Sequence, residues 1–225
     1  MRLNDDFTKP TIVHAAKLDW VASPARGVDR RMLYRVGEEV ARATSIVRYA
    51  ADSVFPSHTH TGGEEILVLD GIFEDEHGRF PAGSYFRNPP GTSHAPASAD
   101  GCTIFVKLWQ FREGDEAQIL RRPGEGEPGL QNDAVSATIL FDDGHEQVYL
   151  QRWGSSASTK LSNHRGLELL VLEGELSVGT ERLRSQSWMR LPEGENLMAS
   201  AGPQGAYAWI KDAPLQHADV LKLPS

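Results

Sequence analysis

Four residues in the first half of the chain have the types and the spacing of a metal site. His58 and His60 are two residues apart, and such residues point to the same side of an extended strand, so both imidazoles can reach one point. Glu64 follows two consecutive glycines, which allow the backbone to bend and return the carboxylate toward that point. His94 follows a Pro-Pro-Gly segment typical of a turn and is the fourth candidate.

This set of imidazole and carboxylate donors suits zinc, iron, manganese or nickel, and we expect one divalent ion per chain. Zinc with four protein ligands forms a closed tetrahedral site, which is structural or regulatory. Iron or nickel with six ligands keeps two positions open for oxygen and a chelating substrate. The residues leave both possibilities open. No catalytic residue is assigned, because the nearest carboxylate, Glu65, points away from Glu64 by strand alternation.

Short β-rich runs separated by turn signals predict an all-β fold with almost no helix. The predicted strands are Met32–Val36, Thr44–Ala50, Glu65–Leu69, Ser84–Arg87, Cys102–Phe111, Ala134–Phe141, Gln147–Trp153, Leu167–Leu172 and Ala206–Lys211. Many short strands at even spacing favour an antiparallel barrel or jelly roll. Between the two groups of strands, residues 112–134 are rich in proline, glycine and charge, which indicates a linker.

The second half of the sequence repeats the first at an offset of about 103 residues. The run from Glu65 to Gly71 matches the run from Glu168 to Gly174, which predicts a duplicated domain. We therefore expect two domains, over residues 1–115 and 130–225. The second is expected to lack the metal ligands.

The alignment of the two halves assigns a substitute to each ligand position. At the constant offset, Leu167 and Leu197 replace Glu64 and His94. A one-residue gap in the glycine turn would place Ser162 at the position of His58 and His164 at the position of His60. We interpret His164 as a surface or packing histidine, and the second barrel as structural filler with an interface role. An alternative is a site for an apolar small molecule.

Composition and charge exclude several classes of protein. The chain has 225 residues and a formal net charge of −8, whereas a nucleic-acid-binding surface is normally basic. No stretch reaches 18 apolar residues, so no membrane span is expected, and the first residues do not resemble a signal peptide. A single cysteine, Cys102, precludes an intrachain disulfide and favours a cytoplasmic location. We read Cys102 as a buried, inert core residue.

The order of motifs resembles the two-part signature of the cupin superfamily. The first part is H-x-H-x3-E-x6-G, starting at His58, and the second is G-x5-P-x-G-x2-H, ending at His94. The resemblance implies two double-stranded β-helix barrels in tandem, a bicupin. Further segments resemble the cupin domain of ChrR-type anti-sigma factors, namely Ala41–Ser45, Gly62–Ile66, Asp75–Gly78, Gly83–Gly91 and Gly101–Thr103. The resemblance to ChrR proteins covers nearly the whole chain and is looser in the second half.

The ChrR resemblance implies a zinc-binding sensor that regulates an extracytoplasmic-function (ECF) sigma factor under stress. By motif position it carries the metal ligands over to His58, His60, Glu64 and His94. The family's sigma-binding part is a separate helical domain with its own zinc site, and the first 30 or so residues offer no counterpart. We therefore keep a second hypothesis, an iron- or nickel-dependent dioxygenase acting on a small diketone or hydroxyaryl ketone. Exposed barrel edges also leave a homodimer possible.

Overall fold

The computed structural model describes residues 1–215 and 222–223, which form two compact units of β-structure. The first unit contains Met1–Asp5, Asp19–Gly124 and residues 222–223, and the second contains Asp6–Leu18 and residues 125–215. Within the described residues, no helix is long and apolar enough to cross a membrane.

The strands of residues 1–124 are short except for four. In chain order they are β1 (Arg2–Leu3), β2 (Thr11–His14), β3 (Val21–Ala22), β4 (Val28–Gly37), β5 (Ala41–Tyr49), β6 (Ser53–Val54), β7 (His58–Thr59), β8 (Glu64–Asp75), β9 (Gly78–Pro81), β10 (Tyr85–Asn88), β11 (Ser93–His94), β12 (Ala97–Ser98), β13 (Cys102–Leu108) and β14 (Ile119–Arg121). A single-turn 3₁₀ helix, Ala15–Lys17, follows β2.

The remaining strands belong to the second unit. They are β15 (Glu127–Gln131), β16 (Val135–Asp142), β17 (Gln147–Trp153), β18 (Ser158–Leu161), β19 (Leu167–Val178), β20 (Glu181–Arg184), β21 (Ser187–Leu191) and β22 (Leu197–Asp212). All pairings in both units are antiparallel.

The two large sheets have the same strand order. The first runs β1-β4-β5-β13-β8-β10-β14, and the second runs β15-β16-β17-β22-β19-β21-β2. The strands β8 and β19, which contain the repeated sequence motif, occupy the same place in their sheets. The prediction of an all-β jelly-roll fold with almost no helix is confirmed.

The division into units differs from the predicted ranges 1–115 and 130–225 in two segments. Thr11–His14 pairs with β21 and belongs to the second unit, whereas Ile119–Arg121 pairs with β10 and belongs to the first. Each segment pairs with a strand that would otherwise lie at the edge of its sheet with unpaired backbone groups. The predicted linker 112–134 therefore contains β14 and β15, and the boundary between units falls at Gly124.

A bulge in β8 determines which of its side chains enter the barrel of the first unit. The register between β8 and β13 shifts at Leu69, because Thr103 pairs with Asp70 while Ile104 pairs with Val68. Such an extra residue resets the alternation of side chains. Ile66 before the bulge and Phe73 after it consequently both lie in the buried core.

The opposite face of the same sheet holds buried charges. Arg87 on β10 is only 1% exposed. Its guanidinium donates to the carboxylate of Asp115 at 2.9 Å and to the carbonyl oxygen of Ala117 at 3.2 Å, and it lies 4.5 Å from the ring of Phe111. Residues after β13 thus cover this face of the sheet.

Replacing Asp115 with alanine is expected to destabilise the protein by about 3–5 kcal/mol, because the buried guanidinium of Arg87 loses its paired carboxylate. Denaturant unfolding measures this change. The matched control is Asp100→Ala, which removes an exposed partner of Arg79 and should cost about 0–1 kcal/mol. Equal effects of the two substitutions would contradict the structural role of the Arg87–Asp115 pair.

Candidate metal centre

Two very short strands place two of the candidate ligands opposite each other. β7 and β11 form a separate antiparallel pair in which His58 is the direct partner of His94. His60, two residues after His58, is fixed by its backbone: its N–H donates to the carbonyl oxygen of Thr92 at 2.8 Å, and its carbonyl oxygen accepts from Gly91 at 3.0 Å. Main-chain hydrogen bonds therefore position the three histidines so that their imidazole rings lie close together.

The glycine pair before Glu64 makes the bend that the sequence predicted. Gly63 has a φ of +76°, a conformation that favours glycine. A Cβ atom at Gly62 would overlap the ring of Trp109, and one at Gly63 would overlap the ring of Phe111. Both positions thus need glycine, and the bend delivers Glu64 to the first position of β8.

The four predicted ligands lie together in the first unit. One nitrogen atom each of His58, His60 and His94 can be chosen so that all lie within 4.8 Å of one another. The carboxylate oxygen Oε2 of Glu64 lies 3.3 Å from Nε2 of His60 and 3.5 Å from Nε2 of His94. A histidine triad of this kind can hold a divalent metal ion.

The buried nitrogen atoms of this group lack ordinary partners, which fits a metal site. Nε2 of His60 and Nε2 of His94 are both inaccessible to solvent and without a hydrogen-bond partner. Nδ1 of His58 lies 3.3 Å from the carbonyl oxygen of Pro56, which leaves Nε2 of that ring available as a donor to a metal. Buried polar atoms normally have partners, so these orphaned nitrogens are consistent with coordination of an ion.

The lowered pKa values of His58 and His60 favour coordination near neutral pH. Burial, together with the nearby charges of His94 and His58, lowers the pKa of His60 to about 3. Burial also lowers the pKa of His58. His60 is therefore neutral near pH 7 and can offer a lone pair without losing a proton. Burial raises the pKa of Glu64, against the opposing effects of His94 and Asn88.

Two supporting side chains were not predicted from the sequence. Oδ2 of Asp75 lies 3.5 Å from Nδ1 of His94, on the ring edge away from Glu64. Burial alone would lower the pKa of His94, but Asp75 and Glu64 outweigh it and raise the pKa. The amide of Asn88 donates to Oε2 of Glu64 at 3.4 Å. Carboxylates that hold a ligand histidine in this way orient the ring and raise its basicity.

Asp75 escaped prediction because it is an odd number of residues from Glu64 on the same strand. Simple alternation places the two on opposite faces. The bulge at Leu69 reverses this and turns Asp75 toward the histidines.

The second unit has other side chains at the equivalent positions, and one part of the predicted alignment is wrong. Leu161 pairs with Leu197 on β18 and β22, as His58 pairs with His94. Asn163, whose carbonyl oxygen accepts from Gly194 at 3.0 Å, is the counterpart of His60. The offset of 103 residues thus holds without a gap, and neither Ser162 nor His164 is equivalent to a ligand.

The barrel of the second unit is filled with apolar side chains instead. Leu167 and Leu197 are 1% and 0% exposed and belong to its hydrophobic core, and Leu161 packs against them. His164 is exposed, as predicted. Asn163 donates through its side-chain amide to the carbonyl oxygens of Pro192 and Glu195 and so stabilises this turn. His60, at the equivalent position in the first unit, offers a potential metal ligand instead.

A cavity of about 480 Å³ in the first unit borders the histidine cluster. His58 and Glu64 form part of its wall, together with apolar side chains of β5 and β13. Cys102 is not in this wall. It is 4% exposed, and burial raises its pKa to about 11, in agreement with its interpretation as an inert core residue.

Comparison with known proteins agrees with the fold and the motif. The sequence model of the ChrR Cupin-like domain family matches residues 8–112. The structure is similar to that of a Nostoc punctiforme protein described as a candidate dioxygenase, with a TM-score of 0.73, 16% identity, and coverage of 97% of this chain and 88% of the other.

Residues 8–112 thus match the ChrR Cupin-like domain family, and the structural likeness shows a shared fold.

Two Escherichia coli structures resemble this chain over a similar span. The protein Ylba has a TM-score of 0.70 and 14% identity, with 94% of each chain covered. The pirin YhhW in complex with nickel(II) has a TM-score of 0.67 and 14% identity, with 92% of this chain and 100% of the pirin covered. Identities this low establish the shared fold only. No curated protein matches this chain in sequence.

Substitution of Asp75 by asparagine is expected to weaken metal binding by about 10–100-fold, because His94 loses the carboxylate that orients its ring. Titration with zinc in competition with a chelator measures the affinity. The control is Asp70→Asn, an exposed residue of the same strand, which should leave the affinity unchanged. Unaltered binding by the Asp75 variant would rule out this supporting role.

Proposed function

We propose that the first unit holds one divalent metal ion through His58, His60, His94 and Glu64, and that this centre is a regulatory sensor. The observation that carries the proposal is the convergence of three imidazoles and a buried carboxylate in the region that matches the ChrR Cupin-like domain. Zinc is the expected metal, with iron, manganese and nickel as alternatives. The second unit would contribute structure without a metal.

The regulatory role is inferred from the ChrR relationship. In this proposal the protein acts in the cytoplasm through a protein partner, an ECF sigma factor, and a change at the metal centre alters that interaction. No interaction with nucleic acid or a membrane is proposed, and a homodimer stays compatible with the proposal. The fold by itself does not select a regulatory role over an enzymatic one.

A second function is favoured by the cavity beside the cluster. Because His58 and Glu64 border about 480 Å³ of space, a small molecule could reach a metal held there. This supports the alternative of an iron- or nickel-dependent dioxygenase acting on a diketone or hydroxyaryl ketone. An oxidised product requires molecular oxygen as co-substrate, and such a metal would supply two open positions for oxygen and substrate.

Protein purified without added metal is expected to contain one equivalent of metal per chain. The substitutions His58→Ala and His94→Ala together should remove it, because only two of four donors remain. Elemental analysis measures the content. His77→Ala is the control, since His77 is exposed and outside the cluster. Two equivalents, or one equivalent retained by the double variant, would refute the proposed site.

Metal identity and coordination separate the two functions. Tetrahedral zinc with four protein ligands, measured by X-ray absorption, would contradict the oxygenase. Oxygen consumption by an iron or nickel form with a diketone would contradict a purely regulatory role. For the sensor, a folded His58→Ala variant is expected to abolish stress-responsive transcription, and a normal response would overturn it.

A further inference from the structure

The cavity beside the metal cluster contains two arginine side chains that the proposed function does not use. Arg30 and Arg35 are both on β4, and both line the cavity whose wall includes His58 and Glu64. Arg35 is 6% exposed, and Nε of Arg30 is inaccessible to solvent. Arg30 as a whole is half-buried. Withdrawing a guanidinium nitrogen from water is costly unless it finds a partner.

A bulge in β4 brings the two arginines to the same side. They are five residues apart, so regular alternation would place them on opposite faces. The register with β5 shifts at Leu33, because Met32 pairs with Ser45 while Tyr34 pairs with Thr44. The extra residue turns Arg35 into the barrel, where it faces the same space as Arg30.

The surroundings leave positive charge in the cavity. Nε of Arg30 has no hydrogen-bond partner, and within the described part of the chain Arg30 forms no ion pair. Arg35 donates to the backbone carbonyl oxygen of Glu38. Burial lowers the pKa of Arg35, the nearby charge of Arg30 lowers it further, and Glu39 and Glu38 act in the opposite direction. The two guanidinium groups line one cavity and carry the same charge, so they repel each other.

Most of the other lining is apolar. Val47 and Tyr49 on β5 and Ile104 and Val106 on β13 face the cavity, and Glu64 is its acidic group. A volume of about 480 Å³ lies in the ordinary range for small-molecule sites. An occupant must therefore offer an anionic end to the arginines and an apolar body to the remaining wall.

We propose that this cavity binds a small organic carboxylate through Arg30 and Arg35. The planar guanidinium fork matches a carboxylate, and the anion relieves the repulsion between the two arginines. The apolar body of the ligand lies against the side chains of β5 and β13. This proposal depends on the metal site proposed above for the end of the cavity near His58, because a metal ion there would offset the charge of Glu64.

The second unit is an internal comparison for this assignment. In the equivalent register, Ala137 takes the place of Arg30 and Asp142 takes the place of Arg35. The same unit has three leucines and an asparagine where the first has the proposed metal ligands, and an apolar cluster forms its core. The arginines and the histidines thus occur together in one unit and are replaced together in the other.

The test uses benzoate and its uncharged isostere benzamide, titrated calorimetrically into the full-length protein after metal removal and after reloading. Benzoate is expected to bind about tenfold or more tightly than benzamide, since the isostere lacks the charge that pairs with arginine. Arg30→Gln should weaken benzoate binding by a similar factor and leave benzamide unchanged. The exposed Arg26→Gln serves as the control with unchanged affinity.

Equal affinities for benzoate and benzamide, or no binding of benzoate, would overturn the proposal. These comparisons on the unaltered protein do not depend on any variant folding. Benzoate affinity unchanged in Arg30→Gln would also overturn it, with circular dichroism confirming the fold. Metal content is measured in parallel: selective benzoate binding by protein that takes up no metal would contradict the metal proposal alone, and normal metal content without benzoate binding would contradict this one alone.

Discussion

The pairing of His58 with His94 across β7 and β11 is the contact on which the candidate metal site depends. These strands have two residues each and form no part of the large sheets, so little regular structure holds them. Their position comes from the backbone contacts of His60 with Gly91 and Thr92, and from the glycine bend that follows. Because backbone groups fix the ring positions, the cluster can exist before a metal binds, which lowers the entropic cost of coordination.

The second unit indicates that this backbone does not require a metal. It repeats the strand order and the turn contacts with leucines and an asparagine in place of the ligands. Leu167 and Leu197 gain stability from burial of apolar surface, whereas a cluster of imidazoles and a carboxylate pays for desolvation unless an ion or a proton compensates. The ligand set in the first unit is therefore better explained by a function than by folding.

Much of the fold and the four clustered residues could be predicted from the sequence, because alternation and glycine turns are local properties. An extended strand is sufficient to predict that His58 and His60 point to the same side, and a glycine bend is sufficient to predict that Glu64 returns toward them. The prediction failed where a non-local feature mattered. Local alternation does not reveal bulges. The bulge in β8 determines the direction of Asp75, and the bulge in β4 determines that of Arg35. The gap assumed near His164 was wrong because Asn163 forms the same turn contacts as His60.

The same reasoning bears on the arginines of the cavity. A residue that costs stability without forming a protein contact is expected at a functional site, since folding alone would favour a smaller apolar side chain there. Arg30, with a buried nitrogen that lacks a partner, fits this description, and Ala137 at the equivalent position shows that the strand tolerates an alanine. A bulge that turns a second guanidinium toward the first adds repulsion to that cost. An anion between the two groups would convert both costs into binding energy, which gives a reason for the presence of the pair in the same barrel as the histidines.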